Sequence, residues 1–267
     1  MVLGLGLAHQ AYSQPVRRIL SLDQCADQYV LAISARSEIV GLSKRSLNTD
    51  SRFATSAVGI PQNRVSPEAL LGARPTVAIR YWGGSARDIA HLTAQGTRVV
   101  TIDDAVDFTG VRRDIRKVAA ALGRPEAGEA LVLGMDQKLR IAAGAWRGQG
   151  GYYLTSGGVS AGPATLIDAI LKAAGVTNLE RRANFPSVSL ERLMRAPIPL
   201  FVLGYFGPAA DAGQRWSSGR RDVLQRRLAR SKVVRLPSDT LGCPAWFAAD
   251  AVTAIARAAP RRSVPRP

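Results

Sequence analysis

Five short clusters hold the residues best suited to chemistry: Asp23-Gln24-Cys25, Arg80-Tyr81-Trp82-Gly83-Gly84, Thr155-Ser156-Gly157-Gly158, Tyr205-Phe206-Gly207 and Asp239-Thr240. Their make-up suits holding a ligand rather than breaking a bond. Glycines let backbone approach a bound molecule, and aromatic rings offer flat apolar faces with an occasional polar tip. Phe185 and Trp246 add two further rings. Together they read as the lining of a cleft for a large, partly aromatic molecule. The competing reading has Tyr81, Trp82, Tyr205 and Phe206 packing on their own lobes, and it holds for any one of them taken singly. Catalysis finds little support. The chain has two histidines, His9 near its start and His91 in an amphipathic stretch, so neither a histidine metal cluster nor a Ser-His-Asp set is readable. No phosphate loop or GxGxxG fingerprint follows a strand. No catalytic residue, metal site or cofactor is assigned.

The elements that must position these clusters alternate. Apolar runs at 18–22, 39–42, 77–79 and 98–102 read as strands, the first ending in Asp23-Gln24-Cys25-Ala26-Asp27, with helices from there through Ile33, over Ala86–Ala94 and over Val111–Leu122. The second half repeats the order. Strands are expected at Tyr152–Leu154, Leu200–Leu203 and Val233–Leu236, and helices over Ala164–Ala174, Asp222–Ala229 and Ala245–Ala258. Such alternation implies mostly parallel sheets with right-handed crossovers. In parallel sheets ligands bind beyond the carboxyl ends of the strands, where all five clusters fall.

Between the halves stands Pro125–Arg147, which reads as one helix of roughly 35 Å. Ala127, Leu131, Met135, Leu139, Ala142 and Trp146 mark its dry face, and Gly148 stops it. The flanking segments echo one another. Val65-Ser66-Pro67-Glu68, Pro75, Val77–Ile79 and Tyr81-Trp82-Gly83 precede the helix; Val188-Ser189-Leu190-Glu191, Pro199, Leu200–Leu203 and Tyr205-Phe206-Gly207 follow it. The offset is 123 residues from Val65 to Val188 and 124 from Pro75 to Pro199. Each copy is a serine-capped helix with an early acid, a buried strand and an aromatic-glycine loop. Two related α/β lobes joined by a rod follow, with boundaries at 14–124, 125–147 and 148–259, and a Pro- and Arg-rich tail from 260 to 267.

A hydrophobic content of 46% over 267 residues is enough for a real core. Residues 1–13 are short, apolar and end in Ala11-Tyr12-Ser13, which reads as a clipped signal peptide or a bare tail, with the signal favoured. No apolar run has the length of a membrane-spanning helix. The net charge of +16 comes from scattered arginines, with doublets such as Arg112-Arg113, Arg220-Arg221 and Arg226-Arg227 and no stripe. No nucleic-acid-binding motif accompanies it, so a solvated basic surface that favours anionic ligands is expected. The two cysteines, Cys25 and Cys243, lie one in each lobe just past a strand. A bond needs their Cα atoms within about 7 Å. A wide cleft would keep them apart, so two free thiols are expected unless the two loops meet at the cleft floor, with Cys25 a candidate ligand contact.

The segments RILSLDQCAD, VLAISARSEIVGLS, VSPEALLGARPTVAIRYWGG, LTAQGTRVVTID, LTSGGVSAGPATLIDAILKAAGVTNL and FPSVSLERLMRAPIPLFVLG, in that order, resemble the substrate-binding proteins of ABC importers that carry vitamin B12, ferric siderophores or haem. The resemblance runs from Arg17 to about Ala258. It implies two Rossmann-like lobes with mostly parallel sheets, a single backbone helix and a ligand cleft between the lobes, in a monomeric periplasmic protein that neither spans the membrane nor binds nucleic acid. It further implies that Tyr81, with Trp82 beside it, and Phe185 stand where the B12-binding member places aromatics. A third tryptophan of that member falls near Gln62, where this chain has none. Glu68 and Glu191 match the acids that dock arginines of the permease. The ligand is expected to be a ferric siderophore or a corrinoid such as cobalamin. Arg80 and the basic balance favour the siderophore, and haem stays open through a phenolate of Tyr81 or Tyr205. The expected contacts are Asp23, Gln24, Cys25, Arg80, Tyr81, Trp82, Gly83, Thr155, Ser156, Phe185, Tyr205, Phe206 and Trp246.

Overall fold

Strand β1 (Ile19–Ser21) has no exposed side chain, which is what a central strand covered on both faces requires. The computed structural model to which it belongs describes residues 17–63, 72–205 and 218–260. β1 pairs in parallel with β2 (Ile39–Ser43) on one side and with β4 (Val77–Arg80) on the other; β3 (Gln62–Asn63) and β5 (Arg98–Thr101) form the edges. The helices of this lobe are α1 (Gln24–Ile33), α2 (Ala54–Ala57), α3 (Ala86–Ala94) and α4 (Phe108–Ala121). Side-chain caps start the longer ones: Asp23 on α1, Ser85 with Asp88 on α3, and Asp107 on α4. Each satisfies backbone N–H groups that the first helical turn leaves free.

The next helix, α5 (Pro125–Ala142), joins the lobes, opened by a proline whose missing N–H costs nothing at a first helical position. Its eighteen residues span about 27 Å. It ends five residues before Arg147, the limit expected from the sequence, because Trp146 leaves the helical path. The Trp146 backbone N–H donates to the carbonyl of Ala174, its indole Nε1 donates to the carbonyl of Ile255, and the ring is 1% exposed. Gly144, Arg147 and Gly148 take left-handed φ angles to make that departure. Met135, Ala142 and Trp146 are buried as expected, but at the start of the helix the dry face is turned by a residue. Gly128, Val132, Met135 and Ala142 are buried, whereas Ala127, Leu131 and Leu139 are half-buried. The reason is α4, which packs so closely that a Cβ on Gly128 would sit 2.4 Å from that of Ala119. Arg112–Asp136 and Arg116–Glu129 pairs bridge α4 and α5 on the outside.

The second lobe has strands β6 (Gly150–Thr155), β7 (Thr177–Asn178), β8 (Leu200–Gly204) and β9 (Lys232–Leu236), all parallel in the order β7-β6-β8-β9. Its helices are α6 (Leu166–Ala173), α7 (Leu190–Arg195), α8 (Ser218–Ala229) and α9 (Ala248–Arg257). The order matches β2-β1-β4-β5 of the first lobe, so the sequence echo corresponds to a repeated topology. Its second serine-capped helix is α7, opened by Ser189. The first copy, at 66–70, lies outside the described residues. One core runs through both lobes, from Ile19, Ile79 and Val118 by way of Val132 and Met135 to Val202, Trp246 and Val252. Both sheets aim their carboxyl ends at the gap that this shared core leaves open.

Candidate functional site

Asp23 organises the first wall of that gap. One carboxylate oxygen caps α1 through the N–H groups of Cys25 and Ala26; the other accepts from Tyr81, Trp82 and Gly83 at 2.6, 3.1 and 2.9 Å. Asp23 is 1% exposed, so it sets the loop that carries the aromatics and does not itself face a ligand. Gly83 is obligatory there, since a Cβ would lie 2.2 Å from the Leu22 carbonyl oxygen. Arg80 turns back on the same loop, donating from Nε to the Gly83 carbonyl at 2.7 Å. The Tyr81 hydroxyl donates to Asp104 Oδ1 at 2.7 Å. Burial, then the bond to Asp104, pushes its phenol well above the usual tyrosine range.

Tyr205 stands on the opposite wall, just past β8. It holds a left-handed φ of 58°, which costs a non-glycine residue about 1–2 kcal/mol. The Ser156 hydroxyl, donating to the Tyr205 carbonyl at 2.8 Å, fixes that turn. Thr155 closes its own loop through both backbone groups of Val159. Burial also raises the Tyr205 phenol, with the charge of Asp50 adding to it. Both phenols are therefore neutral near pH 7.

Tyr81, Phe185 and Tyr205 line one cavity of about 250 Å³, together with Asp104, Val106 and Leu166. A second cavity of about 180 Å³ meets it at Tyr205, Gly242 and Cys243 and is more polar: Gln24, Arg45, Asp50, Arg52 and Trp82 face it. Trp82 and Phe185 are 55% and 61% exposed, large rings left open at the rim. One expected contact lies elsewhere, and another is not a free thiol. Trp246 is in the interior, its ring packed edge-on against Tyr29 and Phe247 and tilted against Phe53, because the chain after β9 dives into the shared core. Cys25 is bonded to Cys243, with a Cα–Cα separation of 5.3 Å, which corrects the expectation of two free thiols. The two loops do meet at the cleft floor, beneath the aromatics, so the width of the mouth does not separate them. Phe206 and Glu68 lie outside the described residues. Glu191 is in the first turn of α7, exposed and paired with Arg195 at 2.7 Å.

Asp104, Arg45 and Arg52 were missed by reading the sequence. Asp104 follows β5 and Arg45 follows β2, so the carboxyl-end rule would have found both had it been applied to every strand. Arg52 comes from the long loop after β2 and carries no such signal. Among the described residues no three His, Cys, Asp or Glu side chains converge as a cage for a metal ion. What the gap offers is two phenols on facing walls, apolar rings at the rim and a polar annex.

Residues 19–204 match the family described as periplasmic binding protein. The chain belongs to that family. It is a bilobal solute-binding protein. Among curated proteins the sequence finds no match. Solved structures share the periplasmic-binding-protein fold at low identity. The apo periplasmic heme-binding protein RhuT from Roseiflexus sp. RS-1 superposes with a TM-score of 0.69 at 22% identity, covering 91% of this chain and 98% of that one. The periplasmic heme-binding protein HutB of Vibrio cholerae gives 0.72 at 16%, with the same coverages. The vitamin B12-binding protein BtuF of Vibrio cholerae gives 0.64 at 18%, covering 91% and 96%. No helix among the described residues is long and apolar enough to cross a membrane.

Proposed function

We propose that this periplasmic binding protein captures an iron chelate, haem in the first place, between its lobes in the periplasm and delivers it to the permease of an ABC importer. The carrying observation is the pair of phenols, Tyr81 and Tyr205, set from opposite lobes on one cavity, with Asp104 bonded to the Tyr81 hydroxyl. Ferric iron would displace the proton of the Tyr81 hydroxyl onto Asp104, and the phenolate oxygen left is a hard, anionic donor suited to it; a chelate arrives with its metal already enclosed, so a full protein cage is unnecessary. Trp82 and Phe185 supply flat apolar surface for a macrocycle at the rim. Heme-binding proteins among the solved structures of this fold support the reading. A second reading, an anionic ferric siderophore, draws on Arg45 in the adjoining annex, whose half-exposed guanidinium is held only at 3.3 Å by Asp50, whereas Arg52 is taken up by Asp239 and Asp250. Cobalamin is the least favoured, since no tryptophan stands near Gln62.

The test is a titration with hemin, a ferric catecholate, a ferric hydroxamate and cobalamin, followed by absorbance and by tryptophan fluorescence. Hemin should bind tightest and give the spectrum of phenolate-ligated ferric haem. Tyr81→Phe or Tyr205→Phe should abolish that spectrum and weaken binding at least tenfold. Hemin binding that is unselective and untouched by both variants, beside tight binding of a ferric catecholate, replaces haem with the siderophore.

A further inference from the structure

The lobes are joined covalently at two places. One is α5. The other is the Cys25–Cys243 bond, which closes a sequence separation of 218 residues. Cys25 sits in the first turn of α1 at the carboxyl end of β1; Cys243 lies in the loop that follows β9. Both sulfurs belong to nearly buried residues, 2% and 8% exposed, and both cysteines face the polar annex. The chain around Cys243 is docked on the first lobe by further contacts. The Tyr29 hydroxyl donates to the Pro244 carbonyl at 2.7 Å, and its ring meets Trp246 edge-on at 5.2 Å. Arg52 reaches Asp239 at 3.1 Å and Asp250 at 2.7 Å.

We propose that this disulfide is an interlobe staple that presets the cleft. The lobes share one core, and the bond adds to it a second covalent tie beside α5. That tie resists the twist and shear that would slide the Tyr81 wall past the Tyr205 wall. The bond also forms the floor at the junction of the two cavities, where Gly242 and Cys243 line both. Ligand capture then needs little closure, because the walls already stand opposed. Only the ligand arm of this inference rests on the haem reading; the mechanical arm stands on the ligand-free protein.

The experiment compares the native protein, the Cys25→Ala/Cys243→Ala variant and native protein held in a phosphine reductant. Amide hydrogen exchange and small-angle scattering are read without ligand, and hemin dissociation is read by stopped flow. Losing the bond should speed exchange across 242–247 at least tenfold, leave β1, β4, β6 and β8 protected, and broaden the distance distribution. Hemin should leave at least tenfold faster. Exchange and scattering that coincide with the native protein, with only the melting temperature lowered, overturn the staple. So does loss of protection throughout β1 and β4, because the bond would then hold the fold and not the cleft. If the double variant fails to fold, the reduced native protein gives the same exchange readout. If hemin binds neither form, the haem reading fails while exchange and scattering still decide the staple.

Discussion

Glu180 has no solvent-exposed side-chain surface, and its neighbours use every face of it. Its carboxylate accepts from Tyr152 at 2.8 Å, from the Arg182 backbone N–H at 3.0 Å and from the Arg182 guanidinium at 3.0 and 2.8 Å. Burial alone would raise its pKa, but the Arg182 and Tyr152 bonds outweigh it and lower the group from 4.5 to about 2. Arg182 also donates to the Ser187 carbonyl, and Val159 bridges to Ser187, so the clamp sets the loop that carries Phe185 to the cleft rim. Glu180→Gln should cost about 1.5–3 kcal/mol, the range for hydrogen bonds to charged groups. The sign with pH follows from a depressed carboxylate: its contribution is complete above 4.5 and is lost as pH falls through about 2. Urea unfolding should therefore show the gap between native and variant narrowing over that window. A gap that is constant with pH would show that the charge is irrelevant. Residues of this kind hide from sequence reading. Tyr81 and Tyr205 could be picked out because aromatic-glycine loops recur in both halves, but nothing local marks Glu180 as the support of the loop that carries Phe185.

At the scale of elements, local pattern was a good guide wherever helix geometry alone decided the outcome. α3 spans Ala86–Ala94 as its capping serine and periodicity require. β3 and β7, two residues each, escaped because they carry no alternation. α5 shows the other limit. Its period was legible, but its facing was set by α4, and its end was set by where Trp146 finds a home. That distinction yields a paired test within one helix. Alanine is better than glycine in a helix interior by about 1 kcal/mol. At Gly134, where an added Cβ meets nothing within 4 Å, Gly134→Ala should stabilise by about that amount. At Gly128 the same change drives a Cβ to 2.4 Å from Ala119 and to 3.6 Å from the Ile115 carbonyl oxygen. Overpacking of a close contact costs about 1–3 kcal/mol, so Gly128→Ala should be neutral or destabilising by up to about 2 kcal/mol. The denaturant midpoint should rise for Gly134→Ala and stay or fall for Gly128→Ala. Equal gains at both sites would mean that α4 and α5 stand further apart than described.

The whole molecule is a repeat, and the repeat is what made its architecture readable from one sequence. The echo gave two lobes and a connector, and the sheets repeat one strand order across α5. The meeting of Cys25 and Cys243 was not readable, because contact across 218 residues depends on how the lobes lean together and not on either neighbourhood. The same symmetry carries the last prediction. Glu191 opens α7 with its side chain 69% exposed, and Glu68 holds the matching place in the first copy of the echo, outside the described residues. An acid in the first turn gains about 0.3–1 kcal/mol from the helix dipole, so Glu191 has a reason to exist without a partner. If the pair also docks basic residues of a permease, the two sites act together while each exposed ion pair adds only about 0–1 kcal/mol. Glu68→Arg or Glu191→Arg alone should then slow import slightly. The double reversal should leave hemin titrations unchanged and stop uptake in a reconstituted vesicle assay. Arg195→Ala, which removes only the partner of Glu191 within α7, should leave uptake intact. Normal uptake by the double variant would remove permease docking from both acids and leave Glu191 with the stabilising of α7 alone.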